Sequence, residues 1–144
     1  MNANTIAVTL AVAALAAATG YGLQTAMSAP PTLMSPDVYD GAWRSIEQGT
    51  RAALGRCRGE PEDRRAPCRA RAQAEDRVRK AELDARYYGT VQAEQHARDA
   101  RARARFEIAR AECAARRGND RAGCLSEARD AQAKALALAR VAAS

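Results

Sequence analysis

The fold turns on the stretch Cys57-Arg58-Gly59-Glu60-Pro61-Glu62-Asp63-Arg64-Arg65-Ala66-Pro67-Cys68 and on its echo 56 residues downstream. That echo is Cys113-Ala114-Ala115-Arg116-Arg117-Gly118-Asn119-Asp120-Arg121-Ala122-Gly123-Cys124. Both read Cys-x10-Cys. Glycine ends a helix at low steric cost because it enters left-handed backbone space freely. Asp63 and Asn119 are of the type that caps a following helix. Pro67 is placed in that helix's first turn, where a missing N–H costs least. Each stretch is therefore predicted to be a helix–turn–helix corner, its first cysteine in the last turn of one helix and its second in the first turns of the next. Such positions face each other across an antiparallel hairpin. Of the three connectivities open to four cysteines, Cys57–Cys68 and Cys113–Cys124 are expected. Each bond closes a loop of about a dozen residues, worth on the order of 3 kcal/mol in chain entropy.

Superposing the two corners also matches Arg65 with Arg121, Ala66 with Ala122, Ala72 with Ala128 and Ala81 with Ala137. A repeat at fixed offset implies a repeated supersecondary unit. Working outward, Ser35-Pro36-Asp37 is a helix start signal: a capping serine, proline at the first helical position and an acid for the dipole. Helix one runs to about Cys57, with Tyr39, Trp43, Ile46, Thr50, Ala53 and Cys57 on one stripe. Helix two runs from about Arg64 to Tyr88, striped by Ala70, Ala74, Val78, Ala81, Ala85 and Tyr88. Gly89-Thr90 breaks it. Helix three runs from about Val91 to Ala115 on Ala93, Ala97, Ala100, Ala104, Ile108, Ala111 and Ala115. Helix four runs from about Asp120 to Val141, with Leu125, Ala128, Ala135, Leu138 and Ala142. The spacing is helical throughout. The expected fold is all-α: two disulfide-stapled helical hairpins (36–88 and 91–142) within a helical domain, 36–144. They form either a four-helix bundle or an extended, bent coiled-coil-like arrangement.

Composition sets the energetic scale. Alanine fills 37 of the 144 positions and the aromatics only six. Alanine buries little area, so a large core is not expected. Of the 23 basic residues 21 are arginine, and the net charge is +6. An acid followed four residues later by a base recurs at Asp40/Arg44, Glu47/Arg51, Glu75/Arg79, Asp76/Lys80, Glu82/Arg86, Glu94/Arg98, Asp99/Arg103, Glu112/Arg116 and Asp130/Lys134. That order supports a helix by about 0.2–0.5 kcal/mol per pair.

Residues 1–28 contain no Asp, Glu, Lys or Arg, and Thr5 to Ala18 is almost wholly apolar. This resembles the apolar region of a secretory signal peptide, with Ala26-Met27-Ser28 as the first cleavage site and Ala18-Thr19-Gly20 as the second. Residues 29–35 then form a linker. An uncleaved N-terminal anchor is the alternative and the one route to membrane attachment. In either case the remainder is expected in the bacterial periplasm or secreted. An even cysteine count in a short exported chain agrees with a disulfide framework. Zinc would need closely spaced cysteine or histidine pairs, and the only histidine is His96. No metal or cofactor is expected.

Arg98, Arg101, Arg103 and Arg105 form the densest basic run, and Arg56, Arg58, Arg64, Arg65, Arg69 and Arg71 crowd the first corner. Arg98, Arg101, Arg103 and Arg105 are the candidate anion contacts, for lipid head groups, lipopolysaccharide or acidic proteins of the envelope. Nucleic acid is not expected, since the runs are interleaved with acids and nearly devoid of aromatics to stack on bases. No catalytic residues are expected: no nucleophile elbow, zinc-protease helix, phosphate loop or dinucleotide fingerprint occurs. The bulky residues Tyr39, Trp43, Ile46, Tyr87, Tyr88 and Phe106 form either a small core or a patch for a partner or a second copy.

Taken from Cys57, Gly59, Cys68, Ala81-Glu82-Leu83, Tyr88, Phe106, Cys113, Gly118, Asn119 and Cys124, the exported part resembles a group of small secreted, alanine-rich proteobacterial helical proteins of unknown function. Some of these bear a TolA-like label. This chain departs from them in using arginine where they use lysine, and in Pro61 and Pro67. The double hairpin is also similar to the twin Cys-x9-Cys hairpins of mitochondria. There each motif lies within one helix, which the glycine and proline inside these segments argue against. Neither resemblance implies an activity. The expected function is a non-enzymatic envelope interaction or structural protein. A holdase-like chaperone or binding module for anionic envelope ligands is the alternative.

Overall fold

The computed structural model describes residues 33–141. The signal segment, both cleavage sites, most of the linker and the last three residues lie outside them. Four helices follow in chain order: α1 (Pro36–Cys57), α2 (Glu62–Tyr88), α3 (Val91–Cys113) and α4 (Gly118–Val141). Of the described residues 88% are helical and none is in a strand, so the chain is all-α. Disulfides join Cys57 to Cys68 and Cys113 to Cys124, with Cα atoms 5.6 and 5.7 Å apart.

Among the described residues each helix packs only on its neighbours in the chain: α1 on α2, α2 on α3 and α3 on α4. The result is an open antiparallel meander rather than a closed four-helix bundle. The reason lies in side-chain volume. A closed bundle needs large residues to fill its axis, and here Leu83, Cys57 and Cys113 are the largest side chains fully buried. Most of the remaining core is alanine, including Ala74, Ala81, Ala97 and Ala104. Small residues let two backbones approach closely but leave too little volume for a four-way interior.

The meander has a second consequence: its central helices bury two flanks each. Ala72 and Leu83 share a face of α2 with Asp76, Lys80, Asp84 and Tyr87, which contact α1. Ala102 lies on the flank of α3 that meets Ala135 and Ala139 of α4. None of Ala72, Leu83, Ala102 and Ala139 falls on the expected stripes, yet all four are buried. Conversely Leu138, placed on the stripe of α4, is 72% exposed.

The corners differ from expectation in detail. At the first, Gly59 does not enter the left-handed region, and Pro61 occupies the N-cap position of α2. Asp63 is thus the second helical residue rather than the cap, and Pro67 sits inside the helix beyond its first turn. Ser35 takes the N-cap position of α1, but its side chain makes no capping hydrogen bond. At the second corner α3 ends at Cys113, Gly118 opens α4 with φ +54°, and Asn119 lies within the helix.

The middle turn is the best defined. Gly89 takes φ +60° and donates its N–H to the Ala85 carbonyl at 2.9 Å. The Thr90 hydroxyl accepts from the Ala93 N–H at 3.2 Å, capping α3. Leu33 donates its N–H to the Tyr87 carbonyl at 2.8 Å, satisfying one of the open carbonyls at the end of α2.

Since α2 and α3 lie between the two corners, the chain returns to its starting level. Both disulfides sit at one end of the meander. The Gly89 turn, the entry at Leu33 and the end of α4 sit at the other, about 40 Å away along α2. The Arg71–Glu112 pair, 2.9 Å apart, ties the two clasped corners side by side.

Candidate functional site

Four of the six expected patch residues come together. Tyr39 of α1 stacks at a tilt on Tyr87 of α2, ring centroids 4.4 Å apart, and lies 5.9 Å from Trp43; Tyr87 meets Tyr88 edge-on at 4.9 Å. The Tyr39 hydroxyl donates to Asp84 Oδ1 at 2.6 Å. Burial first, then that hydrogen bond and the carboxylate charge, push the Tyr39 phenol well above its ordinary pKa. Lys80 Nζ stands 4.8 Å over the Trp43 ring and 3.1 Å from Asp76, while the Trp43 indole N–H donates to Glu47. The Thr50 hydroxyl lies 2.8 Å from Asp76 Oδ1. Tyr39, Trp43 and Tyr87 are half-buried, and Asp84 and Lys80 of α2 hold Tyr39 and Trp43, so the cluster is the α1–α2 interface itself, with Tyr88 exposed at its edge. Ile46 is half-buried on the same helix; Phe106, also half-buried, belongs to α3.

The arginine run on α3 divides. Arg98, Arg101 and Arg105 line the groove against Ala135 and Leu138 of α4. Arg103 lines the opposite groove with Trp43, His96 and Asp99. Three and four residues share a helical face and five do not, so four alternate arginines cannot act on one ligand surface. Arg98 pairs with Glu94 at 3.6 Å and Arg101 with Glu82 at 2.7 Å. The exposed His96 is the one imidazole on the chain.

Ion pairing follows the meander more than the single helix. Of the nine pairs expected within one helix, only Asp76–Lys80 and Glu94–Arg98 close among the described residues. Arg71–Glu112, Arg77–Glu107, Glu82–Arg101 and Glu47–Lys80 bridge neighbouring helices instead. Helix axes 8–10 Å apart leave the next helix within an arginine's reach, so the better-placed partner across the seam takes the carboxylate.

Charge and apolar surface separate along the meander. At the clasped end, residues 56–71 carry Arg56, Arg58, Arg64, Arg65, Arg69 and Arg71 against Glu60, Glu62 and Asp63. Residues 110–121 add Arg110, Arg116, Arg117 and Arg121 against Glu112 and Asp120. Ten exposed arginines over five acids leave a net +5 of the chain's +6 at this one end. Among the described residues Arg64 and Arg71 are the two of the ten that form ion pairs within 4 Å, and Arg65 Nε donates to the Glu60 carbonyl at 2.8 Å. The other end gathers the exposed large apolar side chains of the described residues: Leu33, Val38, Tyr88, Val91, Leu138 and Val141. Sequence reading found the arginines of the first corner but did not join them to those of the second. The signal was the even number of helices between the two Cys-x10-Cys stretches, which brings them to the same end.

All four cysteines are bonded, and no three of His, Cys, Asp and Glu among the described residues are placed to hold a metal ion. No helix among the described residues is long and apolar enough to cross a membrane. The disulfides indicate an oxidising, extracytoplasmic compartment. Comparison with protein-family models, curated proteins and solved structures found no match to this chain.

Proposed function

We propose that this chain is a non-enzymatic periplasmic or secreted interaction protein, a slim scaffold that meets its partners through its two ends. The observation that carries this reading is the separation of its surface, with a net +5 at the clasped end and six exposed large apolar side chains at the other. A helical rod with so small a core has little interior in which to build a reaction site. Its cysteines are committed to disulfides, which removes the strongest nucleophile type it carries. The alternative, a holdase for unfolded or anionic clients, draws support from the exposed Leu33, Leu138 and Val141.

A photo-crosslinking side chain placed in turn at Arg117, at Leu138 and at Gln73 midway along α2 tests the reading in the intact envelope. Discrete adducts at one or both ends, with little at Gln73, are the expected result. Equal labelling at all three positions, or none at any, overturns it. Protection of an aggregating client that high salt abolishes would favour the holdase.

A further inference from the structure

We infer that the clasped end is a docking surface for a bilayer face rich in anionic phospholipid. This deepens the reading above and rests on it only for the compartment. The charge is concentrated: five of the six net positive charges fall in 28 residues at one end of a rod about 40 Å long. The chemistry is selective. Every base there is a guanidinium, and the two lysines, Lys80 and Lys134, lie elsewhere. A guanidinium offers a planar fork of donors that matches a phosphate in a two-point contact, and it stays charged at any physiological pH. Among the described residues most of these forks have no carboxylate within 4 Å, Arg58, Arg69, Arg116, Arg117 and Arg121 among them. The first turns of α2 and α4 open at this end and the last turns of α1 and α3 close there, so the helix dipoles offset one another and the field is that of the guanidiniums.

The shape favours an extended partner over a compact one. The two corners stand side by side, fixed by their disulfides and by the Arg71–Glu112 pair. With adjacent axes 8–10 Å apart, four helix ends in a row span roughly 30 Å. The grooves described above run along the helix flanks, whereas the end itself is a ridge of exposed residues. A plane of phosphates meets such a ridge at several points at once. Residues 56–71 and 110–121 contain no Phe, Trp or Tyr, so this end has no ring on which a nucleobase could stack.

The test compares two charge reversals in the full oxidised chain, so that any contribution of residues 1–28 cancels. One variant carries Arg58→Glu, Arg117→Glu and Arg121→Glu at the clasped end. The other carries Arg86→Glu, Arg129→Glu and Arg140→Glu, with the same change in net charge. Circular dichroism and a thiol count establish that both retain helix and disulfides. Binding is measured by co-sedimentation with vesicles of phosphatidylglycerol and phosphatidylcholine, and with phosphatidylcholine alone. At about 1 kcal/mol per arginine near an anionic surface, loss of three arginines alone is on the order of a hundred-fold in partitioning to the anionic vesicles, and the three added carboxylates make the loss in the clasped-end variant larger still. The other variant should lose less than ten-fold, and neither should differ from the parent on neutral vesicles. Equal losses in the two variants, binding indifferent to phosphatidylglycerol, or tighter binding to duplex DNA than to the anionic vesicles at equal salt would each overturn the inference. Because crosslinking at Leu138 does not depend on the arginines, the interaction reading stands or falls separately.

Discussion

Replacing Cys113 and Cys124 together by alanine should release α4 while leaving α1, α2 and α3 in place. Among the described residues α4 has one neighbour, α3, and the side chains it buries are two alanines, Ala128 and Ala139. Each buried methyl contributes about 1 kcal/mol, so apolar docking is of the same order as the clasp. Closing a loop of this length removes about 3 kcal/mol of chain entropy from the unclasped state. Divided by the 1.4 kcal/mol that corresponds to a factor of ten, that is about a hundred-fold in the opening equilibrium. Amide hydrogen exchange read peptide by peptide should therefore accelerate about a hundred-fold over residues 125–139, with residues 74–104 little changed.

The matching pair, Cys57→Ala with Cys68→Ala, serves as the comparison because both cystines span the same sequence separation of 11. α1 is also held by the Tyr39–Asp84 hydrogen bond, the Tyr39–Tyr87 ring contact and the Thr50–Asp76 contact. A net hydrogen bond contributes about 0.5–1.5 kcal/mol, and an aromatic pair a similar amount. α1 should then remain the better protected of the two outer helices after its clasp is opened. Unchanged exchange in α4, equal acceleration in α1 and α4, or simultaneous loss of protection in all four helices would refute the reasoning.

Two further outcomes follow from the turn and the aromatic seam. Gly89→Ala should cost about 1–2 kcal/mol from left-handed backbone strain, and more than Gly118→Ala in urea unfolding. Both glycines have positive φ, but an added Cβ at Gly89 meets Leu33 Cδ1 at 2.5 Å, whereas nothing lies within 4 Å at Gly118. Tyr39 has a phenol pKa raised by burial and by Asp84, so the folded state holds its proton after the unfolded chain has released its own. Its contribution to stability is full below pH of about 10, the free phenol value, and declines above it as the unfolded state ionises. Tyr39→Phe should flatten that alkaline decline in a pH series of thermal melts; an unaltered slope would show that Tyr39 does not cause it.

The corners were legible because their signals are local. Glycine, proline and a fixed cysteine spacing act within a dozen residues, and the pairing they imply is the pairing found. The stripe of α1 was legible too, since Tyr39, Trp43 and Ile46 stand out in a helix with a single neighbour. The stripes of α2 and α3 were only half legible. With alanine recurring at two-, three- and four-residue steps, several faces are equally apolar, and nothing local tells that α2 has helices on both flanks. Leu83 and Ala102 were missed for that reason. Ion-pair partners were missed for another: local spacing counts carboxylates on the same helix and not those brought close by the next. The expected functional residues were dispersed for a similar reason. The Arg98–Arg105 run looks dense along the chain but points around the helix, while the corner arginines are distant in sequence and adjacent in space.

Gathering ten arginines at one end sets a condition on the fold. Like charges brought within a Debye length, about 8–10 Å at physiological salt, repel one another. A corner held by apolar contact alone would relieve that repulsion by splaying its helices. Alanine packing at the clasped end is too weak to oppose this, and an ion-pair network would neutralise the field. A disulfide resists separation without adding charge. Cys57 and Cys113, each at most 2% exposed, anchor the bonds in the helix seams, leaving the guanidiniums outside. The clasps and the charge they hold together are thus parts of one arrangement. Reduction should loosen this end first, and more so at low ionic strength, where repulsion is least screened.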